Sequence, residues 1–165
     1  MKIGGIRFVA ITAAGLMAGT TLPAMATPKV CDARTYGAKA DGTTKDTQAI
    51  QSAIDDCAKA GGGTVKLSGG TFLSAPIVLK SHITLDIAKD STLLGSPDHA
   101  DYSAKTEFRG PGYQSLVCAT NAEDITITGG GTIDGNGASW WALARTQKNA
   151  GVLGSENSRP RGLVF

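Results

Sequence analysis

Long apolar runs are scarce in this sequence, and their scarcity excludes one class of protein. After residue 26 no run reaches the roughly 18 uncharged apolar residues that a membrane helix needs. An earlier apolar segment, residues 8–19, is too short and too rich in Ala and Gly to span a bilayer unaided. We therefore predict that the mature protein has no membrane attachment.

An excess of charge of one sign is also lacking. The chain has 16 Lys and Arg against 14 Asp and Glu. Lys2 and Arg7 precede residue 27, so the remainder carries no formal net charge. Nucleic-acid binding would call for a clustered basic stripe, and none is present. The expected partner is therefore not a nucleic acid.

Metal-ligand patterns are missing as well. The sequence has only two histidines and no Cys-x-x-Cys motif. His82 precedes an apolar run and His99 lies in a polar segment, without a second ligand at a suitable spacing. We read both as ordinary surface histidines and predict neither a metal nor a cofactor.

The N-terminus is typical of a secretory signal peptide. Lys2 and Arg7 precede the apolar segment 8–19, and residues 24–26 form an A-x-A cleavage site. We expect cleavage between Ala26 and Thr27, so that residues 1–26 are the signal peptide and 27–165 the exported domain. The predicted location is secreted or periplasmic.

Export permits disulfide bonds to persist. Cys31 and Cys57 are the natural pair, joining the mature N-terminus to a predicted helix. Cys118 is left over in an apolar run, so we read it as a buried free thiol. A partner cysteine beyond residue 165 is the alternative.

One amphipathic helix is predicted over residues 46–60. Its apolar residues recur at the spacing of a single helical face. Asp46 is a plausible N-cap and Gly61 a plausible C′ residue. The apolar positions are Ala49, Ile50, Ala53, Ile54 and Cys57.

Short β-rich runs separated by turn residues follow the helix. Seven strands are predicted, at residues 64–67, 77–79, 83–87, 92–94, 116–119, 125–128 and 132–134. Each strand is too short to build a core alone.

Two segments of the chain are similar in sequence to later segments. Residues 61–65 (GGGTV) resemble 129–133 (GGGTI), and 82–85 (HITL) resembles 124–127 (DITI) 42 residues later. That distance fits two solenoid turns of about 21 residues. A β-sandwich would explain the strands but not one helix ahead of them. We predict an all-β fold, a right-handed parallel β-helix.

Both ends of such a solenoid need protection from solvent and from edge pairing. The amphipathic helix would cap the N-terminal end. Residues 163–165 (LVF) look like the start of a further strand, whereas repeat arrays need a terminal cap. We therefore expect a β-helix truncated at its C-terminal end.

Several motifs resemble a known family. Residues 36–42 (YGAKADG) and 46–50 (DTQAI) resemble the entry motif of pectin-lyase-like β-helix proteins. Residues 129–137 (GGGTIDGNG) with Trp140 and Trp141, and 159–161 (RPR) before an apolar strand, are similar to glycoside hydrolase family 28, the polygalacturonases. The resemblance covers essentially the whole mature chain.

That resemblance implies an enzyme of pectin degradation. The family hydrolyses α-1,4 bonds between galacturonates with inversion and requires no metal, using carboxyl groups about 6.5–9.5 Å apart. Its catalytic motifs are Asn-Thr-Asp, Asp-Asp, Gly-His-Gly and Arg-Ile-Lys on later turns, and the matched region precedes them. We assign no catalytic residue and expect the chain alone to be inactive.

Four residues are candidates for substrate contact. Trp140 and Trp141 could stack on a sugar ring, although packing of a short helix is favoured two to one. Arg159 and Arg161 could bind a uronate carboxylate or form structural ion pairs. Residues 96–114 are expected to leave the solenoid as a long loop that could wall a cleft.

Other acidic residues receive structural interpretations. Asp55 and Asp56 are expected on the solvated face of the helix, since adjacent helical positions do not converge. Glu123 and Asp124 are interpreted as a charged turn, and Asp134 as the start of an Asp-Gly turn.

The partner implied by the family is pectin or polygalacturonate, with a monomer expected for a complete protein. A noncatalytic polysaccharide-binding or adhesion module, similar to a tailspike, is the alternative hypothesis. A rhamnogalacturonan hydrolase is also open, because substrate choice depends on residues outside this sequence.

Overall fold

The chain consists mainly of short strands. A computed structural model describes residues 28–107, 110–151 and 159–164. The predicted signal peptide lies outside the described residues. The described helices are α1 (Thr47–Lys59) and α2 (Ala138–Asn149), and neither is long and apolar enough to cross a bilayer. The described strands are β1 (Lys29–Asp32), β2 (Asp41–Lys45), β3 (Gly63–Leu67), β4 (Gly70–Ser74), β5 (Ile77–Leu79), β6 (Ile83–Ile87), β7 (Ser91–Gly95), β8 (Ala104–Glu107), β9 (Gly110–Tyr113), β10 (Val117–Ala119), β11 (Thr126–Thr128), β12 (Thr132–Asp134) and β13 (Leu163–Val164).

Three parallel sheets form the walls of a solenoid. Their strand orders are β1-β3-β6-β11, β2-β4-β7-β12 and β5-β10-β13. Successive strands along the chain enter different sheets, and each strand pairs with its equivalent in the next coil. The only antiparallel strand pair in the described residues is the β8–β9 hairpin. The predicted right-handed parallel β-helix is confirmed, and two facing antiparallel sheets are excluded.

The core is built from residues that stack at the same register in successive coils. Val65 pairs with Leu85, which pairs with Ile127; Phe72 pairs with Leu93 on a second wall. Alternate residues of each strand point inward because a strand has a two-residue repeat. Val65, Leu85, Phe72 and Leu93 are completely buried. Burial of such side chains stabilises the fold by about 1.5–3 kcal/mol each.

Helix α1 caps the N-terminal end, as predicted. Its buried residues are the five of the predicted apolar stripe, and they join the same core as the strands. Gly61 follows the helix with a left-handed backbone (φ +91°), in keeping with its predicted C′ role.

Asp46 occupies the N-cap position, but its side chain caps no helical N–H group. Its two carboxylate oxygens instead accept hydrogen bonds from the backbone N–H groups of Lys39 (2.7 Å) and Ala40 (2.8 Å). Asp46 is 2% exposed. It therefore fixes the turn before β2 to the start of α1.

A disulfide bond joins Cys31 in β1 to Cys57 in α1, as predicted, with the two Cα atoms 6.1 Å apart. It attaches the first strand to the capping helix. Cys118 is a free and buried cysteine, as expected from its apolar surroundings.

The predicted coil length of about 21 residues holds for one coil and is wrong for the next. Thr64 pairs with Thr84 after 20 residues, but Thr84 pairs directly with Thr126. The 42 residues between the similar segments therefore form one coil. The predicted loop 96–114, which contains the hairpin, lengthens it. The similarity between residues 61–65 and 129–133, in contrast, does not reflect equivalent positions, because residues 61–63 lead into β3 and 129–131 into β12, in different sheets.

Asp46→Ala should destabilise the protein by about 2–4 kcal/mol, because two backbone N–H groups lose a charged acceptor and one of them is buried. Urea unfolding followed by circular dichroism measures this difference. Asp90→Ala is the matched control, since Asp90 is exposed and its one recorded side-chain hydrogen bond is to its neighbour Ser91. Equal stability of both variants would contradict the role assigned to Asp46.

Replacing both Cys31 and Cys57 by Ser should cost roughly 3 kcal/mol, because the bond closes a loop of about 25 residues in the unfolded chain. The same urea titration, run with and without a reducing agent, measures it. Reduction should lower the stability of the wild type and leave that of the double variant unchanged. Cys118→Ala should retain the sensitivity to reduction; its loss there would contradict the pairing.

Candidate functional site

A cleft of about 560 Å³ opens at the junction between the last described coils and helix α2. It brings together residues that are more than 20 positions apart in the sequence. All four predicted substrate-contact residues line it. The lining residues are Asp134, Gly135, Asn136, Gly137, Trp140, Trp141, Arg159, Pro160 and Arg161.

The floor of the cleft is a turn that follows β12. The Asp134 carboxylate accepts a hydrogen bond from the Asn136 N–H group at 2.8 Å, which confirms the predicted turn role of Asp134. Asn136 has a left-handed backbone (φ +47°), and its amide donates to the Gly95 carbonyl at 3.0 Å. These bonds hold the turn against the end of β7.

Trp141 forms one side of the cleft and is 61% exposed. A Cβ atom at Gly137 would lie 2.9 Å from the indole Nε1 of Trp141. A larger residue at 137 would therefore displace the indole from its position. The indole lies close to the backbone of Gly137, and much of its surface faces solvent. This arrangement is suited to stacking on a sugar ring.

Arg159 and Arg161 also line the cleft, and strand pairing positions this segment. The Arg161 carbonyl accepts a hydrogen bond from the Leu116 N–H group at 3.0 Å, immediately before β13 pairs with β10. Both arginines are exposed. Guanidinium groups are well shaped for carboxylates, so the cleft offers two cations beside an exposed aromatic ring.

Trp140 has a different role from its neighbour. It is 3% exposed and stacks on His99, with ring centroids 3.9 Å apart and planes 22° from parallel. Tyr102 meets it edge-on at 5.6 Å and Tyr113 lies at 4.9 Å. The packing predicted for both indoles therefore holds for Trp140 alone. His99 belongs to this aromatic cluster, so its interpretation as an ordinary surface histidine is wrong.

The aromatic cluster attaches loop 96–114 to helix α2. The Ser139 hydroxyl donates to the Pro97 carbonyl at 3.2 Å, and the Lys45 ammonium lies 2.7 Å from the Asp101 carboxylate. The hydrogen bond from Lys45 to Asp101 raises the pKa of Lys45. Burial, with a smaller effect of the Asp101 charge, raises the pKa of Tyr102 to about 12. The loop is thus fixed by contacts with both the solenoid and helix α2.

Comparison with known proteins places this geometry in a family. The sequence model of rhamnogalacturonase A/epimerase, pectate lyase-like proteins matches residues 30–134, more than half of the chain. The chain belongs to this family.

Relatives include polygalacturonases. An exo-poly-alpha-D-galacturonosidase of Dickeya chrysanthemi is 37% identical over 129 residues, covering 71% of this chain and 21% of that protein. A solved family 28 exopolygalacturonase of Yersinia enterocolitica is 36% identical, with a TM-score of 0.61, over 67% of this chain and 21% of that one. The predicted resemblance to glycoside hydrolase family 28 is confirmed.

A third relative is named for protein binding and not for polygalacturonase activity. The plasmin and fibronectin-binding protein A of Streptococcus pneumoniae is 43% identical over 109 residues, covering 62% of this chain and 15% of that protein. The chain therefore spans about a fifth of the length of the first relatives and less of this one.

The described lining of the cleft contains few acidic residues. Inverting glycosidases need two carboxyl groups about 6.5–9.5 Å apart. Asp134 is the one acidic residue among those lining the cleft in the described structure, and it accepts a hydrogen bond within its turn. The described lining of the cleft therefore provides one carboxyl group and not a pair.

The remaining acidic pairs have structural partners. Asp55 lies 2.8 Å from Lys80 and Asp56 lies 2.6 Å from Lys29, so the two carboxylates of α1 diverge toward different lysines. The pKa of each aspartate is lowered, and the main cause is the hydrogen bond from its lysine. Neither aspartate points into the cleft.

Asp124 belongs to the expected charged turn and faces the His82 ring at 3.1 Å. His82 is an exposed residue, in agreement with its interpretation as a surface histidine. In the part of the chain that the structure describes, no three His, Cys, Asp or Glu side chains are grouped so that they could hold a metal ion.

Sequence reasoning missed two basic residues of helix α2, Arg145 and Lys148. They line a second depression on the other side of Trp141. Their spacing from Trp141, four and seven residues, places all three on one helical face. That spacing was the available signal, but it required the extent of α2 to be known.

The unequal roles of the two tryptophans give a direct test. Trp140→Ala should cost about 3 kcal/mol of stability because it removes a buried ring from the aromatic cluster. Trp141→Ala, which removes a mostly exposed ring one position later, should change stability by less than about 1 kcal/mol. Urea unfolding of both variants measures the contrast, and equal losses would contradict the assignment.

Proposed function

We propose that this chain forms the N-terminal part of an exported polygalacturonase-type glycoside hydrolase that acts on pectin. The reaction of the whole protein is inverting hydrolysis of α-1,4-galacturonosyl bonds. The observation that carries the proposal is the pairing of an exposed Trp141 with Arg159 and Arg161 in one cleft of a family 28-like β-helix. An aromatic face and two guanidinium groups match the two features of a uronate, its ring and its carboxylate.

In this proposal the cleft contributes substrate contact and the catalytic groups lie elsewhere in the whole protein. Trp141 stacks on a sugar ring, and Arg159 and Arg161 bind carboxylates of the polymer. Trp140 acts only through packing, by fixing the helix that carries Trp141. Because the described cleft has one carboxylate, the chain by itself is expected to bind without hydrolysis.

Export is part of the proposal. The A-x-A site at residues 24–26 provides for cleavage after Ala26. The disulfide between Cys31 and Cys57 supports an oxidising compartment such as the periplasm or the exterior, because cytosolic reductants oppose such bonds.

A second candidate is a noncatalytic adhesion module. The observation that favours it is 43% identity to a plasmin and fibronectin-binding protein. In that case the chain would be retained on a protein ligand and show no preference for polygalacturonate.

Binding of trigalacturonate should depend on the residues that line the cleft. Titration of the chain, monitored by tryptophan fluorescence and calorimetry, should show binding that Trp141→Ala and Arg159→Ala each weaken several-fold. Lys89→Ala is the matched control, because Lys89 is exposed and does not line the cleft. Retention on immobilised fibronectin without trigalacturonate binding would favour the adhesion module instead.

Hydrolysis is tested with polygalacturonate and a reducing-end assay. This chain should release no reducing ends, whereas a longer protein that contains it should release them. Inversion predicts that the first product carries the β configuration, which proton NMR at early times detects. Turnover by the 165-residue chain would overturn the assignment of catalysis to other parts of the protein.

A further inference from the structure

A second depression, of about 480 Å³, lies along helix α2 on the other side of Trp141. Its lining consists of Trp141, Ala144, Arg145, Lys148, Asn149 and Arg159. None of its members is acidic. Its charged members are all basic, so the depression is a positively charged surface.

Within the described part of the chain, the basic side chains of this depression form no ion pair. Arg145, Lys148 and Arg159 are exposed, and no described carboxylate lies within ion-pair distance of them. Arg145 and Lys148 are three residues apart on one helix, where like charges repel by a few tenths of a kcal/mol. A fixed anion would remove that repulsion.

Lys148 lies in the last turn of α2, where a cation is favoured by the helix dipole. That effect falls off within one turn, so it does not explain why Arg145 and Arg159 converge on the same depression. The helix dipole therefore accounts for one of the three cations.

Trp141 and Arg159 border both depressions. The indole forms a shared wall, and the second depression extends from it for seven residues, about 10 Å along the helix. A ligand that stacks on Trp141 can therefore continue along α2 without leaving positively charged surface. A linear polymer with a negative charge on every unit meets this requirement, whereas a single small anion would occupy only one depression.

We propose that the face of α2 formed by Trp141, Arg145 and Lys148, with Arg159, is an accessory site that binds a further stretch of an anionic uronate chain beyond the main cleft. The inference rests on the proposed function, since it assigns additional units of the same polymer. It adds affinity for longer chains and takes no part in bond cleavage. Arg145 and Lys148 are its specific residues, because Trp141 and Arg159 also serve the cleft.

The test compares ligands of two lengths. Calorimetric titration of the chain with trigalacturonate and hexagalacturonate should give tighter binding of the hexamer. Arg145→Ala combined with Lys148→Ala should weaken hexamer binding about tenfold and leave trimer binding unchanged, as expected for the loss of two exposed charge pairs. Lys59→Ala with Lys89→Ala removes the same charge from exposed positions elsewhere, one of them also in the last turn of a helix. This control should bind both ligands like the wild type.

The outcomes separate the inference from the proposed function. Unchanged hexamer binding by the Arg145 and Lys148 double variant overturns the accessory site, even if the trimer binds as expected. Failure of the wild type to bind either ligand overturns the proposed function and, with it, this site. Dextran sulfate of similar length, which carries sulfate groups and no carboxylates, serves as a polyanion without uronates. If the double variant loses dextran sulfate and hexamer binding equally, the surface is a general anion site and the uronate assignment is wrong.

Discussion

Parallel pairing between successive coils is the constraint on which the rest of this structure depends. No described strand exceeds five residues, so none of them can bury a sufficient face alone. Pairing in register places Val65, Leu85 and Ile127 in one column and Phe72 and Leu93 in another. The columns form the core, and the corners between them are free to carry other elements.

Among the described residues, no earlier strand pairs with the first coil, and three features protect this end. Helix α1 covers the apolar end, the disulfide from Cys31 to Cys57 ties strand β1 to that helix, and Asp46 connects the helix to the neighbouring turn. Each feature acts on the same junction by a different physical means: apolar burial, a covalent bond and charge-assisted hydrogen bonds. Together they close an edge that would otherwise be open to pairing with another chain.

The candidate site arises where one coil departs from the minimal length. The insertion between β7 and β10 folds back on α2 through His99, Tyr102 and Tyr113, with Trp140 at the centre. Burial of Trp140 orients the helix so that Trp141, the next residue, faces solvent. Two adjacent residues of one type thus acquire opposite roles, one in stability and one in the proposed contact with a uronate.

The local sequence pattern was sufficient to predict several elements of this fold. The apolar stripe of residues 46–60 predicted α1 and its buried face. Short β-rich runs between turn residues predicted β5, β6 and β12 with their observed bounds, because these signals depend only on nearby residues. Strand β4 and the length of the second coil were missed, since a strand of mixed pattern and a 42-residue coil are decided by distant pairing partners. Trp141, Arg159 and Arg161 were individually recognisable, but only the pairing of β13 with β10 brings them into one cleft. The sequence by itself thus identified candidate residues for uronate contact, and the tertiary structure decided that they lie in one cleft, because their positions depend on strand pairing between distant segments.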